Sequence, residues 1–132
     1  MSVMSWTVEQ ARRVPTAATS GVVFPWPPRE LNPNGRAHWA AKARSAKAYR
    51  HACWALAKEA KLVAPQGPIH VWLDFIPPSR RHHDVDNCVA AIKAGLDGLA
   101  DALGVNDSRF VIHPALRDEI GGMVRVRIAE GP

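Results

Sequence analysis

The sequence predicts an α+β domain: a small mixed sheet with two helices packed on one face. Three observations carry that expectation. Apolar residues alternate with polar ones in short stretches near residues 69–76 and 123–128, and a third short apolar run lies at 22–24. Two longer stretches carry apolar residues at spacings of three and four, the mark of amphipathic helices. These stretches follow one another as β-α-β-α-β-β, an order that suits helices segregated to one side of a sheet. At 132 residues, 47% hydrophobic and 22% charged, the chain is the size and composition of a single globular domain. No internal repeat or low-complexity tract divides it.

Residues 1–20 mix Arg12-Arg13, Pro15 and small polar residues, and are expected to form a loosely ordered arm ahead of a domain spanning 21–132. Val22 to Phe24 form a short strand, stopped by Pro25, Pro27 and Pro28, which lack N–H donors for a ladder. Asn32-Pro33 and Asn34-Gly35 are turn dipeptides and mark a loop. From His38 to about Lys61 the chain is rich in Ala and Lys, with no Gly or Pro. Trp39, Ala46, Tyr49, Cys53, Leu56 and Ala60 recur on one helical face, with Lys42, Arg44, Lys47 and Arg50 covering much of the rest.

"IHVWLDFI", residues 69–76, turns Ile69, Val71, Leu73 and Phe75 to one side, as a strand does. Pro77-Pro78 end it, and "SRRHH" follows as a basic loop. A second helix is expected from about Asp86 to Leu103, with Val89, Ile92, Leu96, Leu99 and Leu103 as its stripe and Gly104 as its terminator. Another strand begins near Arg109 and should be interrupted by Pro114. Gly121-Gly122 then turn the chain into a last strand, where Val124, Val126 and Ile128 alternate with Arg125 and Arg127.

Charge narrows the function classes. Lys and Arg number 17 against 12 Asp and Glu, a net +5, and the excess is local. Between Arg36 and Lys61 seven basic residues stand against Glu59 alone, so the remainder of the chain is slightly acidic. One positive surface of this kind favours a polyanionic partner. The first twenty residues hold no apolar signal core and no run approaches a membrane span. Cys53 and Cys88, isolated and without a secretory signal, read as reduced thiols of a cytoplasmic protein.

Against this basic background, residues 82–108 hold five aspartates. Asp84 and Asp86 flank Val85 just ahead of the second helix. In extended backbone residues i and i+2 share a side, so both carboxylates can reach one cation, and oxygen-only ligands suit Mg²⁺ or Mn²⁺. Equally, aspartates at a helix start accept orphan N–H groups and complement the dipole. His82, His83 and Cys88 would be zinc ligands only with a fourth partner, and none stands at a recognisable spacing. Asp97 lies eleven residues beyond Asp86, about 16 Å along a helix, too far to share its cation and well placed to pair with Lys93 at i,i+4. Lys93 leans back toward the acidic end. Asp101 reads as solvated surface. Asp107 follows "GVN" at a helix-to-strand junction, and a return of the chain there toward Asp84 is possible if the next strand lies beside residues 69–76.

Together, "PPSRRHHDVDN", a helical lysine and "GVNDSRFV" resemble the RusA family of bacterial and phage Holliday junction resolvases. "FPWPP" with a following Asn, and "GGMVRVRI", resemble its first and last strands, so the likeness spans roughly residues 21–128. The resemblance implies a homodimeric, Mg²⁺-dependent endodeoxyribonuclease of DNA recombination and repair, acting on four-way junctions and related branched DNA, with Mn²⁺ able to substitute. It implies that Asp84, Asp86 and Asp107 are metal-binding catalytic acids. Lys93 matches the catalytic lysine with one helical turn of displacement, the usual position being Ala90. Asn106 stands where a second Asp is common, and His82-His83 replace two arginines. Lys42, Arg44, Lys47, Arg50, Arg80, Arg81, His82 and His83 are the expected DNA contacts. The alternative is a branched-DNA-binding protein of the same fold with impaired catalysis.

Overall fold

A computed structural model describes residues 20–35 and 38–130; the expected arm, apart from Ser20, lies outside the described residues. It is an α+β domain with a four-stranded mixed sheet: β1 (Ser20–Pro25), α1 (Trp39–Glu59), β2 (Ile69–Ile76), α2 (Val85–Ala91), α3 (Lys93–Leu103), β3 (Phe110–Leu116) and β4 (Met123–Glu130). The strand order is β1-β4-β2-β3. β4 runs antiparallel to both β1 and β2, while β3 runs parallel to β2, with Ile69 opposite Phe110 and Phe75 opposite Leu116. The parallel pair requires a long crossover, which α2 and α3 supply.

Alternation in β2 builds the core as the pattern predicts. Ile69, Val71, Leu73 and Phe75 are fully buried on one face. Val124, Val126 and Ile128 of β4 and Phe24 of β1 continue that layer. Against it pack Tyr49, Cys53 and Ala57 of α1 and Ile92, Leu96 and Leu99 around α3. Full burial of each large side chain contributes about 1.5–3 kcal/mol before conformational entropy is counted. Across the sheet, His70, Trp72 and Asp74 of β2 share the opposite face with Arg125 and Arg127. There the buried Asp74 carboxylate accepts hydrogen bonds from Arg117 at 2.6 and 2.9 Å. The rings of His70, Trp72 and His113 stack on one another, with ring nitrogens of the two histidines 2.7 Å apart.

Four expectations need correction. The second helix is not continuous: Ile92, φ −86° and ψ −1°, separates α2 from α3. The break is shallow, because Ile92 N–H still reaches Cys88 O and Leu96 N–H reaches Ile92 O. Pro114 does not interrupt β3, because among the described residues β3 is an edge strand with no ladder on its outer side to lose. Trp39 is no core residue. It is the first residue of α1, beyond the end of the buried stripe, and is 74% exposed. Ala60, the C-cap of α1, is likewise exposed.

The helix pair is closed by glycines. A Cβ at Gly98 would stand 2.3 Å from the Arg50 carbonyl oxygen and 3.0 Å from the Trp54 amide nitrogen. One at Gly95 would meet the Tyr49 ring at 2.8 Å. α1 and α3 therefore cross nearly backbone to backbone, which fixes where the basic helix lies relative to the acidic one. Tyr49, in the same contact, donates its hydroxyl to Pro25 O at 2.6 Å and ties α1 to β1.

Candidate functional site

Asp84 is where β2, ended by Pro77 and Pro78, hands the chain to α2. Its backbone is extended, φ −105° and ψ 126°, and its Oδ1 accepts the Asp86 N–H at 2.9 Å. It is thus the N-cap of α2, and the second carboxylate oxygen remains for another partner. Asp86, in the first turn, is exposed beside it. The pair supplies only oxygen donors in an open setting. That chemistry fits a hard cation which binds few carboxylates and keeps waters, and it does not fit a closed zinc site. Cys88 is buried, and burial, then the Asp84 charge, push its thiol above the ordinary range. A protonated thiol is a poor zinc ligand.

Beside Asp84 lies a pocket of about 460 Å³, lined among others by Trp26, Asn32, Asn34, Arg81, His82 and His83. The loop after β1 forms one wall and the basic loop after β2 the other. His83 sets its ring edge-on to Trp26 at 5.5 Å, and its Nε2 is buried without a hydrogen-bond partner among the described residues. A buried ring nitrogen in that state is a ready contact for a polar ligand group.

A second polar cluster sits farther along the helix. Lys93 Nζ donates to Asp97 Oδ1 and to Asp107 Oδ2, each at 3.0 Å. The bonds to Asp97 and then Asp107 raise the lysine pKa, and the lysine holds the Asp107 carboxyl below the usual carboxylate range. Asp97 pairs with Lys93 as the i,i+4 spacing predicts. Asp101 is not merely solvated: Arg50 Nε and the guanidinium Nη2 reach its two oxygens at 2.7 and 3.0 Å and depress its pKa. That pairing spans 51 residues, so no local pattern could announce it.

The three acids expected to share a cation are not gathered in this structure. Lys93 begins α3 seven residues beyond Asp86, about 10 Å of helical rise. Asp107 meets Lys93 and not Asp84. The reason is the parallel pairing: β3 does lie beside β2, but its start, just after Asp107, faces the start of β2, whereas Asp84 follows the end of β2. No group of three metal-binding side chains is preformed among the described residues.

The expected DNA contacts divide. Arg44 and Lys47 are exposed on the outer side of α1. Lys42 is about 200° around the helix from Arg44, falls between the directions of the buried Tyr49 and Cys53, and is half-buried. Arg50 is committed to Asp101. Arg81, His82 and His83 line the pocket at Asp84, and Arg80 is exposed on the other side of the same loop. Sequence reasoning missed Arg29, Asn32 and Asn34 as pocket residues. The turn dipeptides signalled the loop, and the wall it forms depends on tertiary packing.

Fold and site together define a small α+β domain with an acidic, lysine-bearing helical ridge beside a basic helix. No protein-family model matches the chain. It is 40% identical over 103 residues, 75% of this chain and 67% of the other, to an uncharacterized protein of Xylella fastidiosa (strain Temecula1 / ATCC 700964). The chain belongs to the family of that protein. Among the described residues no helix is long and apolar enough to cross a membrane.

Proposed function

We propose that the protein is a RusA-like, Mg²⁺-dependent endonuclease that resolves Holliday junctions and related branched DNA. The observation that carries this reading is the order of groups on one loop-helix unit. Arg81, His82 and His83 lead into Asp84 and Asp86, followed by a lysine held between two carboxylates. Asp84 and Asp86 would hold the divalent ion. When bound, such an ion polarises a phosphodiester and activates water. Arg29 and Arg81 line the adjoining pocket and are placed to neutralise a phosphate. Lys93, kept protonated by Asp97 and Asp107, offers a fixed positive charge to the charge that develops on phosphorus oxygens. Asp107 acts in this scheme by orienting Lys93. Two copies related by a two-fold axis would match the two-fold symmetry of a four-way junction and cut opposed strands. Mn²⁺ replaces Mg²⁺ in the same donor set, and the setting is the cytoplasm.

The second reading, a branched-DNA-binding protein with impaired catalysis, is favoured by one observation: Asp107 is bound to Lys93 and does not join Asp84 and Asp86. A synthetic four-way junction incubated with Mg²⁺ separates the two. The nuclease reading expects paired incision that EDTA abolishes and that Asp84→Asn lowers by orders of magnitude, with junction affinity kept. Because Asn caps a helix about as well as Asp, folding should hold in that variant. Gel-shift binding without incision supports the second reading. Incision by Asp84→Asn at the parent rate refutes the site.

A further inference from the structure

Two of the exposed large apolar side chains among the described residues are tryptophans of α1: Trp39, 74% exposed, and Trp54, 36% exposed. Large aromatic rings left in water are uncommon and mark contact sites when they are grouped. These two are grouped with positive charge. At about 100° per residue, Trp39, Trp54, Lys47, Lys58, His51 and Arg44 fall within an arc of about 140° on the helix. Of the charged residues in that arc, Arg44, Lys47 and Lys58 are exposed and engaged in no ion pair with a described residue, while Arg50 is paired with Asp101.

Each indole is also backed by an imidazole. His51 stacks on Trp54 with ring centroids 5.4 Å apart and planes at 29°. His38 lies against Trp39 at 5.5 Å and 35°. His38 is itself fixed as the N-cap of α1, its Nδ1 accepting the Ala40 N–H at 3.2 Å. A ring supported on one face presents its other face with little ordering left to do. What fits such a face is another flat π-system, and what fits the intervening lysine and arginine is a string of phosphates. A strand of unpaired nucleotides has both.

We propose that Trp39 and Trp54 stack on unpaired bases of a nucleic-acid strand whose phosphates run along Arg44, Lys47 and Lys58. The tryptophans are fifteen residues apart, about 22 Å along the helix, so they engage different bases. His38 also lines a groove with Arg29, Asn34 and Arg81, and these last three also line the pocket at Asp84. The strand held at Trp39 is thereby led toward the carboxylates. Trp54, one turn beyond Arg50, lies on the side of Asp101. This inference rests on the nucleic-acid part of the proposed function and not on catalysis.

The test uses the whole chain in EDTA, so that cleavage plays no part. Binding of labelled oligothymidylate is measured by anisotropy, and inorganic polyphosphate serves as a polyanion without bases. Trp39→Leu and Trp54→Leu keep apolar bulk and remove the ring. Each should weaken oligothymidylate about 5- to 160-fold, the range for lost base stacking, and leave polyphosphate affinity unchanged. Trp39→Phe and Trp54→Phe should restore most of the loss. The proposal is overturned if the Leu variants bind oligothymidylate like the parent, or if both ligands weaken together. It is overturned too if the parent binds no oligothymidylate. Junction cleavage with Mg²⁺ on the same preparation reports separately on the nuclease reading.

Discussion

Replacing Gly98 by Ala tests the geometry on which the relation between basic and acidic helices depends. The added Cβ would stand 2.3 Å from Arg50 O, 3.0 Å from Trp54 N and 3.2 Å from Arg50 C. All three are backbone atoms, so no rotamer change relieves the overlap. Close C···O approaches between packed elements settle at about 3.3 Å, so α1 and α3 must separate by about 1 Å. A gap of that size forfeits a quarter to a half of each dispersion contact along the seam of Tyr49, Cys53, Leu96 and Leu99. Overpacking of this kind costs about 1–3 kcal/mol, occasionally more, while the gain in helix propensity returns up to about 1 kcal/mol. A net loss of about 1–2 kcal/mol should appear as a lower urea midpoint with an unchanged slope, and as a fall in Tm of roughly 3–5 °C per kcal/mol. Because Arg50 supplies the blocking carbonyl, its side chain moves with the helix. Asp101→Asn should then cost less in the Gly98→Ala background than in the parent. A midpoint equal to or above the parent's would show that the helices yield freely and would refute the close backbone crossing.

Three further outcomes are expected. The Lys93–Asp107 pair contributes between the ordinary carboxylate and lysine values, about pH 4 to 10.4. Its contribution is lost as pH falls through the depressed Asp107 pKa and as pH rises through the raised Lys93 pKa. Proton-carbon NMR of the lysine Cε should therefore show Lys93 titrating earlier on the alkaline side in Asp107→Asn, and an unmoved titration would remove the pair from the account. Burial pushes the Cys53 thiol up to about 12, so the native protein should resist alkylation at pH 8 and react at the rate at which it unfolds. Prompt modification of that residue would show α1 opening locally. Asp84→Ala, unlike Asp84→Asn, should lose the bond to the Asp86 amide and about 1 kcal/mol in urea unfolding; equal midpoints for the two would deny the cap its energy.

Local chemistry made much of the fold legible. β2 could be bounded at Ile69 and Ile76 because alternation, a proline pair and a preceding Gly-Pro leave no other register. Gly104, at φ 69°, ends α3 in the left-handed conformation expected of it. Trp39 was misplaced because periodicity gives the angle of a residue around a helix, not where the neighbouring layer stops. The site was legible by residue type and not by arrangement. Lys93 with Asp97 is an i,i+4 fact, readable from spacing, whereas Arg50 with Asp101 exists only once two glycines let the helices touch. Whether Asp107 returns to Asp84 depends on the direction in which β3 lies beside β2. Strand alternation reads the same in either direction.

Pro114, in the middle of β3, governs what the sheet can be joined to. Among the described residues β3 is paired on one side only, with β2, and none of them ladders to its other side. A ladder added there would find no donor at Pro114, so a fifth strand cannot zip along the whole edge. The gap acts as a stop against end-to-end polymerisation of sheets, a hazard for a half-exposed edge carrying Val111 and Leu116. It also excludes one way of building a pair: two copies cannot fuse through β3 into a continuous eight-stranded sheet, and any dimer would have to form through a different surface.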